Sequence, residues 1–290
     1  MSMDALNPTK AALLLVLLPA LALATGCKEE RDDTDDTGSG TGTGEEVSSD
    51  EQALVSDGAE IEASSEMASQ LSAIPTIALA GQANLTAEDA AAAQAGTGAF
   101  FQPEGCLTVD QKANVVTYTF AGCTGPWGLV ELNGQETATF TAGEEQGSIA
   151  VALASKDLTA NAVSIEHAAD VVVTFPEGGK QVTWKGGFTS ETPKGAAITH
   201  TSDLVWTVDA QDDCRTTNGT TTGSVGERGV TVTYEELSRC GGRGMCAAGS
   251  ITVENARGLT MTLELDGTAT ATVTGPRGRE WEVPLQCTAM

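Results

Sequence analysis

Histidine, the side chain most often used as a general base or metal ligand, is scarce in this sequence. Its 290 residues include only His167 and His200. A zinc site generally needs three or four nitrogen, sulfur or oxygen ligands close together, and these two histidines fall on separate predicted strands. His200 alternates with Thr199 and Thr201 on what we interpret as an exposed face. We therefore predict ordinary surface or strand-edge histidines, with no metal site and no cofactor.

Motifs for nucleophilic catalysis and phosphate binding are also missing from the sequence. It contains no G-x-S-x-G turn, which presents the catalytic serine in many hydrolases. It contains no Gly-rich phosphate loop between a strand and a helix. We therefore assign no catalytic residue and expect that the chain is not an enzyme. An extracytoplasmic hydrolase with an unrecognised site stays open as an alternative.

Three polar stretches allow binding hypotheses. The run Asp32-Asp33-Thr34-Asp35-Asp36 lacks the Gly turn and closing Glu of a calcium loop, so a solvated tether is favoured. Asp209, Asp212 and Asp213 favour an acidic loop over a cation site. The stretch CGGRGMC, residues 240–246, could hold an anion at Arg243 or carry redox-active thiols. Its C-x5-C spacing differs from the C-x-x-C of oxidoreductases, so we favour a disulfide-pinned turn.

The apolar run near the start of the chain predicts export. Lys10 precedes residues 11–24, which carry no charge. As a helix this run would reach about 21 Å, less than the ~30 Å of a bilayer core. Such a length is typical of a secretory signal peptide rather than a permanent membrane span.

The tetrapeptide Ala24-Thr25-Gly26-Cys27 at the end of this run resembles the lipobox of bacterial lipoproteins. The resemblance implies that residues 1–26 are a signal peptide and that Cys27 is lipidated with acyl chains such as palmitate. Two or three chains are needed for a stable anchor. Lys28 implies the outer membrane, with the chain facing the periplasm or the cell surface. An ordinary secretory signal with Cys27 as a thiol, and an uncleaved anchor, are the alternatives.

The cysteine count is consistent with that resemblance. Seven cysteines occur, and six remain once Cys27 is lipidated. An even number in an exported protein predicts three disulfides. A faint repeat places one Val-Thr-Tyr triplet between each of two cysteine pairs and so favours one of the 15 possible connectivities. The pairing hypothesis is Cys106–Cys123, Cys214–Cys240 and Cys246–Cys287.

The charge of the chain bounds its partners. Forty acidic residues against 15 basic ones give a formal net charge of −25. This charge argues against a nucleic-acid partner, which requires clustered Lys and Arg. It also argues against electrostatic adsorption to anionic lipid head groups. The expected partners are the lipid bilayer, through acylated Cys27, and a protein or glycan that the sequence does not identify.

The chain after the signal divides into three segments. Residues 27–49 form an acidic tether rich in Gly, Ser and Thr. Residues 50–99 form an Ala-rich helical segment with two short helices. The first is interrupted by Pro75, and the second begins at Thr86, which forms a capping box with Asp89. Residues 100–290 form a disulfide-stabilised β-domain.

Alternation of apolar and polar residues predicts the fold of this β-domain. Leu259, Met261, Leu263 and Leu265 alternate with polar residues, as do several earlier runs. The fold class is therefore mainly β: an antiparallel meander, sandwich or open barrel, with short N-terminal helices. Predicted turns are Asn133-Gly134, Glu177-Gly178-Gly179, Asn218-Gly219, Asp266-Gly267 (type I′) and Gly275-Pro276-Arg277-Gly278.

The β-domain is also loosely similar to β-rich bacterial lipoproteins of unassigned function, through VTYTFAGCTG, VTWKGG, CGGRGMCAAGSITV and GREWEVPLQC. The resemblance transfers no catalytic residue. We expect a membrane-anchored extracytoplasmic lipoprotein with a binding or structural role. A periplasmic carrier or chaperone with a concave sheet is a further alternative. A carbohydrate-stacking platform built from some of the four tryptophans, Trp127, Trp184, Trp206 and Trp281, is another.

Overall fold

A computed structural model describes residues 48–79, 85–125, 130–192, 194–209, 214–240, 246–285 and 287. The signal segment, Cys27 and the aspartates at 32–36 lie outside the described residues. Trp127, Asp212, Asp213 and Arg243 lie outside them as well. The hypotheses that rest on these residues stay predictions.

In the described residues, two α-helices and a 3-10 helix precede the sheet. They are α1 (Ser49–Ile77), α2 (Ala87–Ala93) and the 3-10 helix (Gln94–Phe100). The predicted capping box at the start of α2 is confirmed, and α1 begins with a second one at Ser48. The prediction that Pro75 interrupts the first helix is wrong. Pro75 lies in the last turn of α1, where a missing N–H removes one hydrogen bond just before the helix ends.

In the described residues, thirteen antiparallel strands form one sheet in which every strand pairs with the next along the chain. The strands are β1 (Leu107–Lys112), β2 (Val115–Thr124), β3 (Glu131–Ala142), β4 (Ile149–Ala160), β5 (Val163–Thr174), β6 (Gly179–Glu191), β7 (Ala197–Asp209), β8 (Cys214–Val225), β9 (Arg228–Cys240), β10 (Ala248–Asn255), β11 (Thr260–Asp266), β12 (Thr270–Thr274) and β13 (Glu280–Pro284). The mainly β prediction is confirmed. Of the three architectures expected, the sheet is an open meander, with β1 and β13 as its two edges.

The sheet has one apolar and one polar face. In β5, for example, Ile165, Val171 and Val173 are buried, while Glu166 and Asp170 between them are exposed. We call the buried side the inner face and the exposed side the outer face. α1 packs on the inner face and contacts β5 to β10.

Two of the predicted turns are wrong, because they lie inside strands. Asn133-Gly134 is in β3 and Asn218-Gly219 is in β8, each at a β-bulge where the pairing register shifts. Gly134 has φ +106° and Gly219 has φ +126°. A Cβ at either glycine would collide with a carbonyl oxygen of the neighbouring strand. In each Asn-Gly pair, the glycine allows two strands to approach closely at a bulge. The pair does not reverse the direction of the chain.

The other predicted turns join strands. Glu177-Gly178-Gly179 leads from β5 into β6, and the segment starting at Gly275 connects β12 with β13. Asp266-Gly267 opens the connection between β11 and β12. Three residues separate these two strands, so the connection is longer than the two-residue type I′ turn we predicted.

Three disulfides join the cysteines among the described residues: Cys106–Cys123, Cys214–Cys240 and Cys246–Cys287. They are the same pairs as in the sequence hypothesis. Three disulfides indicate an oxidising, extracytoplasmic environment. All of them fasten the sheet and its connections, because α1 contains no cysteine. Within the described ranges, no helix is both long and apolar enough to cross a membrane.

Candidate functional site

The contact between α1 and the inner face is unusually polar. Ser64, Ser65, Ser69 and Ser72 lie on the buried side of the helix, each no more than 5 % exposed. Serine is small, so the helix can approach the sheet closely. A buried hydroxyl costs free energy unless it finds a hydrogen-bond partner. The inner face provides such partners for Ser65 and Ser72.

Ser72 is the first member of a buried three-residue arrangement. Its Oγ lies 3.1 Å from His167 Nε2, and His167 Nδ1 lies 2.7 Å from Glu136 Oε1. Ser72 and Glu136 are fully buried, and His167 is 3 % exposed. Glu136 comes from β3 and His167 from β5, so the arrangement ties α1 to two strands of the sheet.

His200 belongs to a second polar chain between the sheet and α1. Its Nδ1 lies 3.3 Å from Ser202 Oγ, and Ser202 Oγ lies 2.9 Å from Thr221 Oγ1. Thr221 Oγ1 in turn lies 2.9 Å from Ser65 Oγ on α1. Burial lowers the pKa of His200 to about 4, against a smaller opposing effect of the Ser64 backbone. His200 is therefore neutral near pH 7, and its ring stacks on Phe188.

The prediction that both histidines are surface residues is therefore wrong. The phase of alternation along each strand indicates which face of the sheet each histidine lies on. Counting back by twos from the apolar Leu204 places His200 on the inner face, and counting back from Val171 does the same for His167. The neighbouring Thr199 and Thr201 are exposed.

The Ser72–His167–Glu136 arrangement has the hydrogen-bond order of a hydrolase triad. Three features argue against acyl transfer at Ser72. Burial denies substrate access to its Oγ. Ser72 also lies inside α1, where backbone N–H groups bond within the helix and none is free to form an oxyanion hole. Moreover, any movement of α1 that exposed Ser72 would carry it away from His167. We interpret the arrangement as a positioning lock for the helix.

The N-terminal part of α1 contacts the sheet through ion pairs. Within the described residues, five acidic side chains of α1 pair with five arginines of the sheet and its turns, in a chain with only 15 basic residues. The pairs are Asp50 with Arg257 (2.9 Å), Glu51 with Arg277 (3.9 Å), Asp57 with Arg228 (2.6 Å), Glu62 with Arg239 (3.7 Å), and Glu66 with Arg239 (3.4 Å) and Arg215 (3.6 Å).

The outer face carries a shallow depression of about 750 Å³ that crosses β4 to β8. Its floor is a cross-strand row of small residues in register: Ala154, Ala168 and Gly187, continued by Thr201 and Thr222. We call this row and its surroundings the outer depression. The exposed residues of its lining lie on the side of the sheet opposite α1.

Polar side chains surround the floor of the outer depression. Thr189 and Thr199 offer exposed hydroxyl groups, and Asp157 and Glu166 offer exposed carboxylates. Hydroxyl groups both donate and accept hydrogen bonds, whereas carboxylates accept them and attract cations. The depression therefore suits a polar ligand with positive charge.

The tryptophans do not form the carbohydrate platform considered above. Trp184 and Trp206 are buried in the core and stack on each other with ring centroids 6.1 Å apart. Trp281 is half-buried, with the Arg279 guanidinium 5.4 Å from its ring centroid. Trp127 lies outside the described residues.

Metal coordination finds no support in the part of the chain that the structure describes. No group of three or more His, Cys, Asp or Glu side chains there is arranged to hold a metal ion. Asp209 lies at the end of β7, and the two aspartates grouped with it in the sequence are outside the described ranges.

No family model matches the sequence, and neither a curated protein nor a solved structure matches the chain.

Proposed function

We propose that the chain is a membrane-anchored extracytoplasmic lipoprotein whose β-domain binds a protein partner. The apolar leader and the lipobox-like sequence ending at Cys27 support a lipid anchor in the outer membrane. The three disulfides support an extracytoplasmic location for the domain. The tether at residues 27–49 would give the domain reach from the membrane.

The outer depression is the observation that carries the binding role. Its volume of about 750 Å³ falls within the ~300–1,000 Å³ of typical ligand sites. Because the inner face is occupied by α1, the outer face is the side of the sheet that a partner can reach. The carboxylates of Asp157 and Glu166 and the net charge of −25 favour a basic, polar segment of the partner.

Blocking the outer depression tests this role. Ala168→Arg places a long cation on its floor, whereas Ala152→Arg places one on the same exposed face outside the depression. Cross-linking on intact cells, followed by affinity capture, should recover a protein with a basic segment from wild type and from Ala152→Arg. Ala168→Arg should lose it. Equal recovery with Ala168→Arg would contradict the site, and recovery of a glycan would contradict the partner class.

The lipid anchor is tested separately. Cys27→Ser should abolish labelling by a radioactive or clickable fatty acid and release the protein from the membrane fraction. Retention in the detergent phase with the variant would contradict the anchor. This outcome would leave the binding assay above unaffected, because that assay depends on residues of β4 and β5.

Hydrolysis is the second candidate function, and the Ser72–His167–Glu136 arrangement is the observation that raises it. A fluorophosphonate probe distinguishes a catalytic Ser72 from a structural one. We expect no labelling of folded wild-type protein, since Ser72 is fully buried between α1 and the sheet. Labelling that disappears in Ser72→Ala would establish an accessible nucleophile. The carrier alternative is less favoured, because α1 occupies the apolar inner face that would hold the cargo.

A further inference from the structure

Four charged side chains meet where the middle of α1 crosses β8 and β9. Glu62 and Glu66 come from α1, Arg215 from β8 and Arg239 from β9. The side chains of Glu62, Glu66 and Arg239 are each less than one-fifth exposed, at 16 %, 13 % and 19 %. Arg215 is 28 % exposed, and its guanidinium lies 5.0 Å from the ring centroid of Trp206. The cluster is thus largely enclosed and held in place from the sheet side.

The two glutamates are not equally paired. Glu66 Oε2 lies 3.4 Å from one guanidinium nitrogen of Arg239 and 3.6 Å from one of Arg215. Among the described residues, the one ion pair of Glu62 joins its Oε1 to a guanidinium nitrogen of Arg239 at 3.7 Å, which is too long for a good hydrogen bond. Glu62 is therefore the acid for which the negative charge is least compensated.

The surroundings of Glu62 favour a neutral side chain. A cavity of about 10 Å³ in this cluster is lined by both Glu62 and Ser69. Ser69 is 2 % exposed, and its Oγ makes no hydrogen bond to the described protein atoms. Glu62 and Glu66 are four residues apart on α1 and both contact Arg239, so two like charges meet on one arginine, and a proton on Glu62 removes their repulsion.

We propose that Glu62, Glu66, Arg215 and Arg239 form a proton-binding latch, which fastens α1 to β8 and β9 more tightly when Glu62 carries a proton. The site takes up one proton when the helix docks. The inference concerns the attachment of α1 and does not depend on the ligand of the outer depression. Since α1 is the first helix after the tether and has no disulfide, the latch sets how firmly the tethered end of the domain is held.

The direction of the pH dependence follows from the surroundings of Glu62. Burial raises its pKa from 4.5 to about 7, Arg239 opposes this effect, and Glu66 adds to it. The other titratable group that faces Glu62 is Tyr234 of β9, whose own pKa burial raises, so it stays neutral. When α1 is detached, Glu62 returns toward its ordinary pKa. Docking is therefore strongest below pH 4.5 and weakens as the pH rises through 7.

Amide hydrogen exchange of α1 in the full chain, corrected for intrinsic exchange rates, tests the latch. Protection of the α1 amides in wild type should fall about tenfold or more between pH 5 and pH 8, because one unit of pKa shift changes the equilibrium tenfold. Glu62→Gln, which mimics the protonated side chain, should keep high protection at both values. Glu60→Gln removes a charge from the same helix outside the cluster and should behave as wild type.

Two results would overturn the latch. One is protection in wild type that does not fall with pH, or a fall of the same size in Glu62→Gln. The other comes from carbon-13 NMR of the Glu62 carboxyl group in the wild-type protein, which needs no variant to fold. A titration midpoint near 7 supports the latch, and a midpoint near 4.5 refutes it.

Discussion

The two parts of α1 are attached to the sheet by different chemistry. Residues 50–66 carry the acids that pair with arginines, and several of these pairs are exposed, such as Asp50 and Arg257 at 57 % and 73 %. Residues 67–77 use buried hydrogen bonds, in which both Glu136 and His167 are closed off from solvent. Exposed ion pairs contribute little, whereas breaking a buried pair is costly. The C-terminal part is therefore expected to dominate the attachment.

The end of α1 adds to this asymmetry. Lys180 Nζ donates to the carbonyl oxygen of Thr76 at 3.1 Å, and Gln94 Nε2 donates to that of Pro75 at 3.0 Å. Gln94 is fully buried and also accepts from the hydroxyl of Tyr118. These donors satisfy carbonyls that a helix end leaves without partners in the helix. Hydrogen bonds therefore hold the C-terminal part of α1 on the sheet, whereas the attachment of its N-terminal part changes with salt and pH.

Removal of Glu136 should have the largest effect on stability. Glu136→Ala leaves Nδ1 of the buried His167 ring without its partner, and we expect a loss of about 3–5 kcal/mol in the free energy of unfolding. Guanidinium denaturation followed by tryptophan fluorescence measures the loss. Glu136→Gln retains a hydrogen-bond acceptor of the same shape and should lose less. A change below about 1 kcal/mol in Glu136→Ala would contradict the lock.

An intermediate effect is expected at Asp57, the most buried acid of the N-terminal part. Its carboxylate accepts from Nε and Nη2 of Arg228 at 2.6 and 2.7 Å, and it is 4 % exposed although Arg228 is 61 % exposed. Asp57→Ala should cost about 1.5–3 kcal/mol, the range for hydrogen bonds to charged groups. The same denaturation assay measures the change. A loss as large as that of Glu136→Ala would contradict the expectation that the C-terminal part of α1 contributes more to its attachment than the N-terminal part.

The alternation in the sequence was sufficient to predict the fold class and the buried face of several strands. Met261, Leu263 and Leu265 are buried as their spacing indicated, because a half-buried strand alternates with period two. The Asn-Gly pairs were misread because a glycine at positive φ serves a bulge as well as a turn. Only the course of the neighbouring strand decides between these two uses.

The polar contacts of α1 could not be predicted in this way. Ser72 and His167 are 95 residues apart in the sequence, and Asp57 and Arg228 are 171 residues apart. Serine and glutamate on a predicted helix are typical of a solvated face, and nothing local distinguishes a residue that meets an arginine of a distant strand. The phase of each histidine was readable from its own strand, but its partners were not.

The smallest effect is expected at the exposed start of α1. Asp50→Asn removes the pair with Arg257, and the free energy of unfolding should change by no more than about 0.5 kcal/mol, because both side chains are largely in water. Whatever difference exists should vanish in about 1 M salt, which screens exposed charges beyond ~3 Å. Denaturation of wild type and variant at low and high salt measures this. A loss comparable to that of Asp57→Ala, persisting at high salt, would show that exposure does not separate strong from weak contacts along α1.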